Sequence, residues 1–178
     1  AAQLRHIRPD IQIMPLRGNL DTRLRKLVDE ILDAIVLAAA GVKRLGLADR
    51  ITEYLTPEIM LPAVGQGALC VETRIEDPVI TPLITPLNHA ATRWAVLSER
   101  AFLARLEGGC QVPIAGYAEL EYGQIKMRGL VGRPDGKQVI RGHIEGPAKN
   151  AAHLGTMLAD DLLSRGAKEI LQEVYSSG

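Results

Sequence analysis

The chain has 178 residues, enough for one large domain or two small ones, and its 47% hydrophobic and 24% charged content is that of a globular protein. Lys and Arg total 21 against 21 Asp and Glu, and aromatics are 3%, which argues against a nucleic-acid binder working through bulk charge or base stacking. The longest apolar run, Ala34 to Val42, is far short of the roughly 20 residues of a membrane span.

No secretory signal is visible. Cys70 and Cys110 make a poor disulfide framework and point to a reducing compartment. An opening Ala in place of Met points to a fragment or a processed product.

The first half alternates strand and helix patterns. Ile11 to Leu16 is a short β-prone run, and Arg17-Gly18-Asn19 turns the chain. Asn19 or Asp21 is a candidate helix cap. Leu20, Leu24, Leu27, Val28 and Ile31 recur at helical spacing, with Arg23, Arg25 and Lys26 between them. Ala34 to Ala38 is a continuous apolar run, as in a parallel strand covered on both faces. Strand, helix, strand in this length is a βαβ unit. Ala40 to Leu47 is a short helix or turn, and Pro62 to Gly67 is a loop before a strand candidate at Ala68 to Thr73. Pro78, Pro82 and Pro86 mark a connecting segment, and we place a domain boundary near Pro86.

The second half changes character. Asn88 to Leu106 reads as a helix with Ala91, Trp94, Leu97 and Ala101 on one face and Phe102 and Leu106 beside it, stopped by Gly108-Gly109. Strands are expected at Gly116–Leu120, Gln124–Val131 and Gln138–Glu145, joined by hairpin signals at Glu121-Tyr122-Gly123 and Pro134-Asp135-Gly136. A helix from about Ala148 ends at Arg165-Gly166, and Lys168 to Tyr175 is the last. Hairpins packed by helices make an α+β module.

Three stretches offer chemistry. Arg17-Gly18-Asn19 lies between a strand and a helix start, where free N–H groups and the helix dipole favour an anion. Arg17 precedes that turn, Arg23 lies one turn into the helix, and Lys43-Arg44 follows the next strand. Arginine grips carboxylates through a two-pronged fork; solvated helix charges account for the same pattern. Gly108-Gly109-Cys110 places a thiol on a loop with room around it, as a nucleophile or attachment point, or as an ordinary half-buried cysteine. Gly65-Gln66-Gly67 suggests a hinge or a close backbone approach to a ligand. Cys70, in a strand pattern, reads as core. His6, His89, His143 and His153 have no metal-site spacing, and His89 reads as a helix-start residue.

Taken together, these segments resemble porphobilinogen deaminase (hydroxymethylbilane synthase). The resemblance rests on Leu16-Arg17-Gly18-Asn19 with Thr22-Arg23-Leu24, on Asp33 to Ala38 with Ala40 to Leu47, and on Leu61 to Ala68. It continues through Glu99-Arg100-Ala101 and Leu106-Glu107-Gly108-Gly109-Cys110-Gln111-Val112-Pro113-Ile114. The match is collinear over essentially the whole chain, and its last motif is the most specific.

The resemblance implies a cytoplasmic transferase (or a plastid one, in a photosynthetic eukaryote) of tetrapyrrole and heme biosynthesis. Such an enzyme joins four porphobilinogen molecules head to tail, releases ammonia each time, and gives hydroxymethylbilane. Growth starts from a dipyrromethane cofactor joined by a thioether to the cysteine matching Cys110, with Gly109 beside it. Loss of ammonia from an aminomethyl group leaves an electrophilic methylene that a thiolate can trap. Arg17 and Arg23 match residues that hold the carboxylates of cofactor and substrate, and Arg44 and Gln66 match the substrate side. The expected partners are porphobilinogen and the growing pyrrole chain, with no nucleic acid, no membrane and no metal, in a family that is usually monomeric.

The implied fold is an incomplete α/β domain of periplasmic-binding-protein type followed by a small α+β domain with a three-stranded antiparallel sheet. Residues 1–67 would be the rest of the second domain, 68–85 a segment returning to the first, and 86–178 the carboxyl-terminal domain. The family's catalytic aspartate belongs upstream and no carboxylate here matches it. The resemblance therefore assigns no catalytic residue to this chain and implies that the chain alone is inactive. Two other readings stand beside the enzyme: a module that holds a polycarboxylate without turning it over, and a structural α+β interaction domain.

Overall fold

The computed structural model describes residues 1–29, 32–107 and 112–176. The chain divides into two compact units, one of Ala1–Asp10 with Pro57–Gly178 and one of Ile11–Thr56. In chain order the elements are α1 (Ala2–Ile7), α2 (Leu20–Asp29), α3 (Ala39–Arg44), a 3-10 turn at Ala48–Arg50 and α4 (Ile80–Ile84). A 3-10 turn at Thr85–Leu87 leads to α5 (Ala90–Arg105), β1 (Ile114–Glu121), β2 (Gln124–Gly132), β3 (Val139–Pro147), α6 (Ala151–Leu162) and α7 (Lys168–Ser176).

The larger unit is built on an antiparallel meander in the order β1-β2-β3. Its register sets Ala118 opposite Met127 and Met127 opposite Ile144. Tyr122 and Gly123 both take positive φ, 48° and 78°, the pattern of a two-residue turn whose twist suits a hairpin. Period-2 alternation then sorts β2. Ile125, Met127 and Val131 join Phe102, Leu158, Leu162 and Ile170 in the main core. Leu130 packs with Leu61 and Ala115 in a second, smaller cluster.

Glycine permits the close approaches. A Cβ on Gly129 would lie 2.6 Å from Phe102 Cζ, and one on Gly155 would lie 2.0 Å from the Ser98 carbonyl oxygen. Gly155 is therefore where α6 lies against α5. Gly166, at φ 103°, breaks the chain between α6 and α7, where the sequence places its stop.

The expected α+β half is present, with strand and helix ends shifted by a few residues. On α5, Phe102 and Leu106 are buried beside the expected face, but that face itself is less well anticipated. The buried stripe of α5 is Ser98, Glu99 and Phe102, continuing to Leu106, while Trp94 and Leu97 are only partly buried. The prolines also depart from expectation, because residues 80–87 are helical. Asp77 Oδ1 accepts the N–H groups of Val79 and Ile80 at 3.0 and 2.9 Å, and Pro82 and Pro86 fall in first turns, where a missing N–H costs nothing.

The α/β half departs more. Ile11–Leu16, Ala34–Ala38 and Ala68–Thr73 are not strands. A strand exists only through a neighbour's hydrogen bonds, and the sheet among the described residues is the β1-β2-β3 meander alone. The βαβ unit is accordingly not formed. Cys70 is exposed rather than core, for the same reason: no strand among the described residues pairs with residues 68–73. In the smaller unit α2 has no buried residue, Val28 is 71% exposed, and Val42 is the buried hydrophobic. Ile31, expected on the apolar face of α2, lies outside the described residues. No helix among the described residues is long and apolar enough to cross a membrane.

Candidate functional site

The arginine turn is built from its caps. Gly18 takes φ 122°, and a Cβ there would meet Thr22 Cγ2 at 2.8 Å, so only glycine fits. Asn19 Oδ1 accepts the Thr22 N–H at 2.8 Å, capping α2 as its sequence position predicts. Arg23 Nε donates to the Gly18 carbonyl at 2.8 Å, which ties the side chain to the turn. Arg17 is exposed and Arg23 is half-buried. Arg44, exposed, is the last residue of α3, while its neighbour Lys43 lies over the Tyr54 ring at 4.7 Å.

All three arginines belong to the Ile11–Thr56 unit. Among the described residues none of them has a carboxylate partner within ion-pair distance.

A groove of this unit lies elsewhere on α2. Asp21, Leu24, Arg25, Val28 and Asp29 face Leu47 and Arg50 across a groove of about 320 Å³. Arg23 is not in that lining. Arg25 and Arg50 are cations to which the sequence reading gives no role; only contact between α2 and the segment after α3 reveals them.

The second stretch belongs to the larger unit. Gly65 and Gly67 take φ 71° and 86°, with open space where a Cβ would sit. The turn is closed by Gln66 N–H to the Ala63 carbonyl at 2.9 Å and Ala68 N–H to the Gly65 carbonyl at 3.1 Å. Gln66 is exposed at its tip.

Behind the turn lies a group that hydrophobic patterning passes over. Glu99, on α5, is 5% exposed. Its carboxylate accepts the Gly65 N–H at 2.7 Å and the Ala118 N–H at 2.9 Å. Burial pushes this carboxyl above its ordinary value, and the two N–H donors pull it back.

Gly108, Gly109, Cys110 and Gln111 lie outside the described residues, so the expected thiol site does too. On either side the chain is held. Tyr175 Oη donates to the Glu107 carbonyl at 2.5 Å, Val112 is buried, and the Gly132 N–H donates to the Pro113 carbonyl at 2.9 Å. His89 caps α5, its ring nitrogen accepting the Thr92 N–H at 3.4 Å, which is the helix-start role expected of it.

Two family profiles match these stretches. "Porphobilinogen deaminase, dipyromethane cofactor binding domain" covers residues 1–81, and "Porphobilinogen deaminase, C-terminal domain" covers residues 94–164. The arginine turn, Arg44 and Gln66 fall within the first match, and Glu99 within the second. A porphobilinogen deaminase of Pelobacter propionicus is 52% identical over 174 residues, which is 98% of this chain and 56% of the relative. One from Carboxydothermus hydrogenoformans is 50% identical over 173 residues, 97% of this chain and 56% of the relative. The chain belongs to the porphobilinogen deaminase family. It spans a little over half the length of these curated relatives.

Proposed function

We propose that this chain serves hydroxymethylbilane synthesis, the head-to-tail condensation of four porphobilinogen molecules with release of ammonia, in the cytoplasm. The observation that carries the reading is the match of residues 1–81 to a dipyrromethane cofactor-binding domain, a stretch in which Arg17, Arg23 and Arg44 have no carboxylate partner among the described residues. The polycarboxylate-holding module without turnover explains the arginines as well, but it leaves the named relatives unexplained.

The residues divide the work. When bound, the dipyrromethane supplies the pyrrole carbon from which the chain grows. Cys110 Sγ would hold it through a thioether, with Gly109 giving room. Arg17 and Arg23 would grip acetate and propionate groups of cofactor and substrate, and Arg44 those of substrate. Tethering of Arg23 to the Gly18 carbonyl leaves its terminal nitrogens to form the fork. Gln66, exposed on the glycine turn, would contribute an amide to the substrate. The same reading assigns residues 1–67 to an α/β domain of periplasmic-binding-protein type, 68–85 to a returning segment and 86–178 to the α+β domain. The separate matches at 1–81 and 94–164 support a division in that region.

Each charged hydrogen bond of this kind contributes about 1.5–3 kcal/mol, roughly a 10- to 100-fold change in binding. In a protein of the relatives' full length, Arg17→Leu, Arg23→Leu and Arg44→Leu should each lower pyrrole-chain assembly by about that factor, with melting within a degree or two of the parent. Assembly is followed by ammonia release and bilane formation. Full activity in all three, with melting lowered instead, would make them structural residues and sink the assignment.

A further inference from the structure

Glu99 has no part in the scheme above, yet it is a charged side chain buried in the core of the larger unit. β1 is an edge strand, paired on one side with β2. Its outward N–H groups therefore need acceptors, because an unmet buried donor is costly. The Gly116 N–H goes to the Pro62 carbonyl at 3.1 Å. The Ala118 N–H goes to Glu99 Oε1 at 2.9 Å. Glu99 Oε2 then takes the Gly65 N–H at 2.7 Å. The chain from Pro62 to Gly65 is thus fastened along β1 at two points, the second of them through the carboxylate.

The glycine turn is closed by its own two hydrogen bonds and Val64 before it packs on the core, but its glycines are not packed. Open space surrounds the Cβ positions of Gly65 and Gly67, so packing does not fix their conformation there. Gln66 at the tip is exposed. By contrast, α5 is anchored firmly, since Phe102 is fully buried and the Ser98 carbonyl abuts Gly155. A rigid helix thereby sets the position of a loosely packed turn.

We propose that Glu99 is a positioning residue: its carboxylate bridges the β1 edge to the Gly65-Gln66-Gly67 turn and fixes the geometry in which Gln66 meets a bound pyrrole carboxylate chain. This rests on the reading of Gln66 as a ligand contact. The chemistry requires a carboxylate. A glutamine here has one acceptor oxygen for two N–H donors, and its own NH2 would face the other N–H donor against donor.

The test is a double-mutant cycle on the chain, using a synthetic dipyrromethane bearing acetate and propionate groups as probe. Binding is read by calorimetry and the Gly65 and Ala118 amides by hydrogen exchange. Glu99→Gln should speed exchange at least tenfold at whichever of the two amides faces the new NH2, and weaken the probe about tenfold. In a Gln66→Ala background, Glu99→Gln should have almost no further effect on binding, because the two act through one contact. A purely structural Glu99 would instead give additive losses, and that result overturns the proposal.

Two other outcomes separate the proposal from the reading beneath it. If Gln66→Ala and Arg17→Leu weaken the probe while Glu99→Gln does not, the binding reading stands and the positioning role falls. If neither Gln66→Ala nor Arg17→Leu changes binding, the reading itself fails and takes the positioning role with it. Should Glu99→Gln not fold, Gly65→Ala carries the same cycle, since it strains the turn at φ 71° and so shifts the N–H that Glu99 holds, with the buried carboxylate itself left in place.

Discussion

The two units of this chain both carry apolar runs, the smaller no less than the larger, and came out differently. In the larger unit the strands are neighbours in sequence, joined by turns of a few residues, so each finds its partner within the same stretch. Helices α5 and α6 then close one face over Phe102, Met127 and Leu158. In the Ile11–Thr56 unit Ile11–Leu16 and Ala34–Ala38 read as strands, the second of the parallel type that pairs through distant neighbours. No strand among the described residues meets them, and Val28 and Val36 remain 71% and 52% exposed. Hydrophobic residues alone do not make a core; the backbone must first find hydrogen-bond partners that bring apolar faces together.

That contrast can be broken most directly by truncating matched apolar side chains. Leu158→Ala empties a site that is 1% exposed and should cost about 2–5 kcal/mol in urea unfolding. Val28→Ala should stay within about 0.5 kcal/mol. Equal costs would show that α2 has a core of its own.

A second pair sharpens the comparison with a single kind of change. Gly155→Ala drives a methyl into the Ser98 carbonyl and should destabilise by about 2–3 kcal/mol. Gly41→Ala, in α3 with nothing within 4 Å of the new Cβ, should stabilise its helix by about 0.5–1 kcal/mol. Opposite signs for one substitution type are the expected result, read by denaturation of the first and by helicity of the second. A neutral Gly155→Ala would mean that α5 and α6 do not lie this close.

The smallest effect is a pH slope. Burial raises the Glu99 carboxyl above its ordinary value of 4.5, so the folded chain holds that proton more tightly than the unfolded chain. The resulting stability is fully present below pH 4.5 and is lost as pH rises through the folded value. Glu99→Gln should flatten this part of the stability–pH curve. A slope of the opposite sign assignable to Glu99 would show that its two N–H donors outweigh burial.

How much could be read from the sequence differs between the same regions. The hairpins at Tyr122-Gly123 and Pro134-Asp135-Gly136, the stop at Gly166, and the caps at Asn19 and His89 were legible because each is set by residues close in sequence. The strands at Ile11–Leu16, Ala34–Ala38 and Ala68–Thr73 were misread because strand formation depends on partners that local pattern does not supply. Cys70 followed them, from expected core to exposed. In the candidate site, Arg17, Arg23 and Arg44 were found by their places beside turns and helix ends. Glu99 was passed over because its role depends on two backbone N–H groups, 34 and 19 residues away. No local spacing encodes that bridge. Its one sequence trace is its presence within Glu99-Arg100-Ala101.

The central claim is that this chain carries a pyrrole cofactor on Cys110, and mass spectrometry of the protein as its cells make it tests that most directly. The account predicts that the peptide containing Cys110 carries an acid-labile increment equal to a dipyrromethane, and that Cys110→Ser lacks it, since a hydroxyl is a far weaker nucleophile than a thiolate. An unmodified Cys110 in protein that is active in bilane synthesis, or an increment that persists in Cys110→Ser, would contradict it.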